Sequence, residues 1–237
     1  MSKFKFIFLK QDLFKMSTLV FSILSLLAGF TVIYSNKYLG GHFDTKNIYS
    51  LFSTISDFLL IYIAVNTFGK EFKYRTINLI RISGRSYSEI IIRKLLGGII
   101  LSVMLACLAL SEVFIYKMLF NQVGINIYEI GKNLVISYVV FYLFLFSLGS
   151  LIVMLLKKTL FSYITLLLIL RISPMVLNML ENISNHLSKV VDYIPLSFLE
   201  QSFYYANYSQ KQVYTVIIWS LIILLVLPEI YKRKGYA

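Results

Sequence analysis

The feature that most constrains this chain is a set of six apolar runs, each long enough for one membrane crossing, with two of the connections between them longer than a simple turn requires. They are residues 17–34, 48–68, 95–119, 134–156, 160–180 and 213–230. A bilayer's hydrocarbon core is about 30 Å thick and an α-helix rises about 1.5 Å per residue, so about 20 apolar residues span it. The other spanning solution, a closed β-barrel, needs short segments that alternate polar and apolar residues. None of the six runs alternates. The expected fold is all-α: a polytopic membrane protein with six transmembrane helices in a single transmembrane domain, 1–237. With 58% hydrophobic residues, 14% charged residues and a mean hydropathy of +0.77, little chain remains for a soluble module. Chemistry that needs such a module is expected in another chain.

The basic residues orient the spans. Before the first run stand Lys3, Lys5, Lys10 and Lys15. Between the second and third stand Lys70, Lys73, Arg75, Arg81, Arg85, Arg93 and Lys94, between the fourth and fifth Lys157 and Lys158, and after the sixth Lys232, Arg233 and Lys234. Those segments hold sixteen basic residues and the opposite connections six. The positive-inside rule places both termini in the cytoplasm of a cell in whose plasma membrane the chain sits. The formal charge of +12 therefore reports topology, and nucleic acid is not an expected partner. The first run lacks a small-residue cleavage pattern and is expected to be retained.

Two terminal or connecting segments carry further expectations. Residues 1–15 mix Phe4, Phe6, Ile7, Phe8, Leu9, Leu13 and Phe14 with four lysines, which suits an interfacial, elbow-like helix or a basic flank that only sets topology. Residues 181–212, after span five, hold Pro195 and the aromatic group Phe203, Tyr204, Tyr205 and Tyr208. They suit a re-entrant or interfacial helical loop at the outer leaflet, or an ordinary aromatic belt.

Several chemistries lack their residues. His42 and His186 both fall in external connections, so no span supplies a histidine base for Ser150 of Leu148-Gly149-Ser150. No Gly-rich phosphate loop and no metal-ligand spacing occurs, so no metal site is expected. Cys107, the sole cysteine, excludes an intramolecular disulfide and reads as packing. Catalysis by this chain is not expected.

The connection after span two is more specific. Glu71, Thr76, Ile77, Leu79, Arg85, Ser86 and Lys94 follow the order of an acidic residue, a Thr among apolar residues, a Ser and Arg neighbouring pair, and a Lys opening span three. This pattern resembles the coupling helix of type-2 ABC-transporter permeases, with Arg75 where that family usually has Gly and Ser83-Gly84 where it often has Pro. The resemblance implies a permease subunit of an ATP-driven exporter, paired with a second permease, itself or a paralogue, in the lipid bilayer. It also implies two cytoplasmic ABC ATPase subunits that bind the ATP and Mg. Small permeases of this length resemble exporters of amphipathic or antimicrobial peptides, phenol-soluble-modulin exporters among them. In that setting Ile77, Leu79 and Ile80 would fill a groove on the ATPase while Arg81 and Arg85 pair with its acids. Without the resemblance, the segment is a basic loop obeying the topology rule. A secondary transporter and a non-transporting assembly or signalling subunit are the rival readings.

Three ionisable residues lie within spans, where each costs about 2.5–3.5 kcal/mol on insertion scales. They are Asp57, Glu112 and Arg171, at similar expected depths in the outer half. With Pro174 one turn beyond Arg171, they form either a buried clasp between spans or an outer gate beside a helix kink. For the coupling segment, replacing Ile77 and Leu79 by Asp is expected to abolish co-purification with an ATPase subunit while membrane insertion persists; unchanged co-purification removes the segment from the docking role.

Overall fold

The computed structural model describes residues 15–74, 86–122 and 124–234. These form eight helices: α1 (Met16–Tyr38), α2 (Thr45–Lys73), α3 (Tyr87–Phe120), α4 (Ile127–Leu156), α5 (Thr159–Glu181), α6 (Asn185–Val191), α7 (Pro195–Tyr204) and α8 (Gln210–Lys234). No strand occurs among the described residues. Six helices, α1 to α5 and α8, are long and apolar enough to cross a membrane, and the chain is a multi-pass membrane protein. Residues 1–14 of the expected elbow-like segment (1–15), and residues 75–85, which hold most of the coupling segment, lie outside the described residues.

The helices outrun the apolar runs that announce them. α3 starts at Tyr87 rather than Leu95, and α4 at Ile127 rather than Leu134. Hydropathy marks where lipid contact stops, whereas backbone bonding continues until a cap intervenes. Those caps are written locally. Ser86 Oγ accepts from Glu89 N–H at 3.2 Å, and Asn126 Oδ1 accepts from Glu129 N–H at 3.3 Å. At α8 the box is reciprocal: Ser209 Oγ accepts from Gln212 N–H, and Gln212 Oε1 accepts from Ser209 N–H. Ser184 caps α6 one way only, its Oγ accepting from Leu187 N–H at 3.3 Å. Beyond the cap of α3, the exposed Glu89–Arg93 ion pair spans one helical turn and adds a small favourable contact to the polar first turns.

Two compact units divide the chain. The first holds described residues within Met1–Leu59, Ile99–Val139 and Gln201–Tyr208, and the second those within Leu60–Gly98, Val140–Glu200 and Ser209–Ala237. In the first unit, Val32, Ile33, Ile48 and Tyr116 form a buried cluster against which Phe120 and Ile125 pack. The turn from α1 to α2 is pinned beside it. Asn36 accepts from Phe43 N–H at 2.9 Å, and its amide donates to Phe43 O at 2.8 Å and to Tyr116 Oη at 3.2 Å. Gly40, at φ +66°, makes the reversal that a side chain would resist.

The second unit packs aromatic rings between α2 and α4. Phe68 and Phe146 lie 5.9 Å apart by ring centroid, and Tyr142 and Phe146 6.1 Å. α5 buries only Ser162, Leu166 and Leu170, while Leu160, Ile164, Leu168, Ile172 and Met175 stay exposed along the opposite stripe. In a membrane protein that stripe is covered by lipid or a partner span, because water would make it costly.

Adjacent glycines on α3 separate packing from propensity. A methyl group at Gly98 would overlap the buried Tyr142 hydroxyl, whereas one at Gly97 meets open space. Gly98→Ala is expected to destabilise the protein by about 1–3 kcal/mol through overpacking. Gly97→Ala is expected to leave stability unchanged or raise it by up to about 1 kcal/mol through helix propensity. Thermal unfolding of the two variants in one detergent measures the contrast.

Candidate functional site

The base of the basic connection is built from the ends of α2 and α3. Glu71 lies in the last turn of α2 and is buried. The Lys94 ammonium, in the second turn of α3, forms an ion pair with its carboxylate. Lys94 Nζ also donates to the Thr67 carbonyl at 2.6 Å and sits 4.3 Å from the centroid of the Phe68 ring. Thr67, Phe68 and Glu71 are one turn apart on one face of α2, so a single lysine grips that face through charge, hydrogen bond and ring. The side chains are 13% and 9% exposed, so the pair is largely withdrawn from water. Of the residues expected in the coupling element, the structure brings Glu71 and Lys94 together and uses Ser86 to start α3. Thr76, Ile77, Leu79, Arg81 and Arg85 lie outside the described residues.

A second polar arrangement lies within the first unit. Ser53, Ser56 and Asp57 share one face of α2 at spacings of three and four, and all three are fully buried. The Tyr138 hydroxyl of α4 is 3.1 Å from Ser53 Oγ and 2.8 Å from Ser56 Oγ. Ser56 Oγ donates its only proton to the Ser53 carbonyl at 3.2 Å, so Tyr138 donates to Ser56 and accepts from Ser53. Tyr204, at the end of α7, donates to Asp57 Oδ2. Beside it, Phe203 packs edge-on against the Tyr138 ring at 4.8 Å.

Glu112 of α3 is also fully buried in this unit, with no hydrogen-bond partner for either carboxylate oxygen among the described residues. Its carboxylate occupies the notch left by Gly29 on α1, where a methyl group would overlap it.

Arg171, on α5 in the second unit, pairs with Glu200 of α7, Nη1 to Oε1 at 2.9 Å. The sequence reading grouped Arg171 with Asp57 and Glu112; the structure supplies Glu200 as an ion partner for Arg171 and Tyr204 as a donor for Asp57. α5 continues through Pro174, which leaves the Leu170 carbonyl without its usual intrahelical donor. Nearby in the same unit, Trp219 Nε1 of α8 donates to the Tyr193 carbonyl at 2.9 Å, and the Lys211 ammonium lies 4.3 Å from the Tyr193 ring centroid. These contacts moor the α6–α7 connection to α8.

Sequence reasoning missed Ser53, Ser56, Tyr138 and Glu200, and gave Tyr204 no partner. The signal for the serines was present: two hydroxyls one turn apart leading into an intramembrane acid. Glu200 carried no signal, because its meaning depends on α7 folding back beside α5.

The fold and these sites define a multi-pass membrane protein with a buried ion-pair clasp at one connection and buried carboxylates within its helices. Compared with protein-family models and with curated proteins, the sequence matches none.

The clasp is testable apart from any activity. Glu71→Gln leaves the Lys94 charge buried without its counter-ion, an expected loss of about 3–5 kcal/mol. The double variant Glu71→Met, Lys94→Met removes both charges and is expected to recover most of that loss. Thermal unfolding in detergent reads both; equal destabilisation of single and double variants would show that the charge pairing contributes nothing.

Proposed function

We propose that the chain is the membrane-spanning permease subunit of an ATP-driven ABC exporter. It assembles with a second permease, itself or a paralogue, and with two cytoplasmic ATPase subunits that bind ATP and Mg. The observation that carries this reading is the Glu71–Lys94 clasp at the root of the basic segment between α2 and α3. A segment that receives a push from a soluble motor must pass displacement to the spans rather than absorb it by fraying helix ends. Gripping Thr67, Phe68 and Glu71 with one lysine makes the adjoining ends of α2 and α3 move together. In this reading ATP-driven closure of the motor displaces residues 75–85 and shifts the spans between inward-facing and outward-facing packings.

In this reading the clasp and both termini face the cytoplasmic side of the cell membrane, which the excess of basic residues in those segments supports. In this reading α6 and α7 lie at the outer leaflet as interfacial or re-entrant helices. The exported molecule is amphipathic or hydrophobic, a peptide toxin, an antimicrobial peptide or a drug-like compound, by the resemblance stated above. A secondary transporter is the alternative that a specific observation favours: Asp57 and Glu112 are fully buried acids within spans, as ion pathways require.

The chain, tagged and purified from its native membrane, is expected to bring down an ATPase with a phosphate-binding loop. Inverted vesicles containing both should take up a fluorescent amphipathic peptide only with ATP. Uptake driven by an ion gradient without ATPase would establish the secondary transporter. Absence of both uptake and ATPase would leave an assembly or signalling subunit.

A further inference from the structure

The described structure gives Glu112 no hydrogen-bonding role. It is fully buried in the last third of α3, and neither of its oxygens meets a donor among the described residues. An isolated carboxylate withdrawn from water in this way is too costly to leave uncompensated. Its neighbours are already committed. Tyr138 gives its proton to Ser56, and Asp57 accepts from Tyr204. No lysine or arginine occurs between Lys15 and Lys37 of α1, Lys46 and Lys70 of α2, Lys94 and Lys117 of α3, or Lys132 and Lys157 of α4. The four long helices that contribute to this unit therefore supply no cation at this depth.

The position is also shaped for the carboxylate. Gly29 on α1, by lacking a side chain, leaves the notch that the carboxylate occupies. Counted from the ends of α1 and α3 that face the same connection side, Gly29 and Glu112 both lie about 12–14 Å along their helices. Counted from the starts of α2 and α4 on that side, Ser53, Ser56, Asp57 and Tyr138 lie about 12–18 Å along theirs. At this level along α2 and α4 the unit thus also buries a second acid, two serine hydroxyls and a phenol, so the surroundings of Glu112 are not uniformly apolar. The ionisable groups at this level are Asp57 from α2, Tyr138 from α4 and Tyr204 from α7, with α1 contributing none.

We propose that Glu112 is an intramembrane site for a monovalent cation, where the carboxyl exchanges its proton for an ammonium group or an alkali-metal ion. No group of three or more His, Cys, Asp or Glu residues that could hold a metal occurs among the described residues, which disfavours a multivalent ion. The proposal goes beyond the ATPase partnership and does not depend on it, since an exporter and a secondary transporter alike can load a cationic molecule against a buried acid.

The test uses the full chain in lipid nanodiscs and dicyclohexylcarbodiimide, a lipid-soluble reagent that takes the proton of a neutral carboxyl and ends as an acylurea on its carbonyl carbon. Peptide mass spectrometry is expected to find the adduct on Glu112, to lose it in Glu112→Gln and to retain it in Asp57→Asn. Octylammonium chloride, sodium chloride and potassium chloride are then added separately. A ligand of the site present at about ten times its dissociation constant should slow labelling about tenfold. Protection by octylammonium alone assigns the site to an organic ammonium group, and protection by sodium or potassium assigns it to an alkali ion. Labelling that none of the three slows, or no labelling of the folded wild-type chain, overturns the proposal. Thermal unfolding of the wild-type chain supplies a readout that needs no variant. The protecting cation should raise the transition temperature and n-octanol should not; an equal rise with n-octanol counts against the site.

Discussion

Inside a bilayer there is no water to accept a stray hydrogen bond, and most of the polar contacts described within these spans answer to that constraint. The backbone answers it by helix formation, since a helix satisfies its own peptide groups within one segment. Side-chain hydroxyls answer it in the same currency. Ser25 donates to the Phe21 carbonyl, Thr54 to Ser50, Ser102 to Ile99, Ser147 to Phe144 and Ser162 to Lys158, each within its own helix. This back-bonding lets small polar residues sit in apolar spans without a partner helix.

Charges cannot be satisfied that way, because no carbonyl or amide within a regular helix balances a full unit of charge. They need a second element, and the tertiary contacts that organise the structure are largely the ones that provide it. Lys94 reaches back to Glu71 and Thr67; Arg171 reaches Glu200; Asp57 receives Tyr204. α7 supplies two of those partners, Glu200 and Tyr204, from a helix of ten residues that spans nothing by itself. Glu112 stands apart from this pattern, and that departure carries the proposed cation site.

Much of the architecture was legible from residue order. Six apolar runs announce six spans, and Ser86-x-x-Glu89, Asn126-x-x-Glu129 and Ser209-x-x-Gln212 announce three helix starts that hydropathy places several residues too late. The acid-to-lysine framing of the basic connection singled out Glu71 and Lys94 before their contact was known. The partners of Asp57 and Arg171 were not legible. Similar depth along separate helices says which charges share a level and leaves the rotation of each helix open, so residue order alone could not assign Tyr204 to Asp57 or Glu200 to Arg171.

The sequence by itself thus determined that the chain lives in a membrane, how many times it crosses, and which connection is basic, since these follow from apolar length and charge counts along a line. Only the tertiary structure decided which buried charge is satisfied and by whom. A hydrogen bond or ion pair reaches only a few ångströms, and closing that distance depends on how helices are turned toward one another, a property that no single run of residues contains.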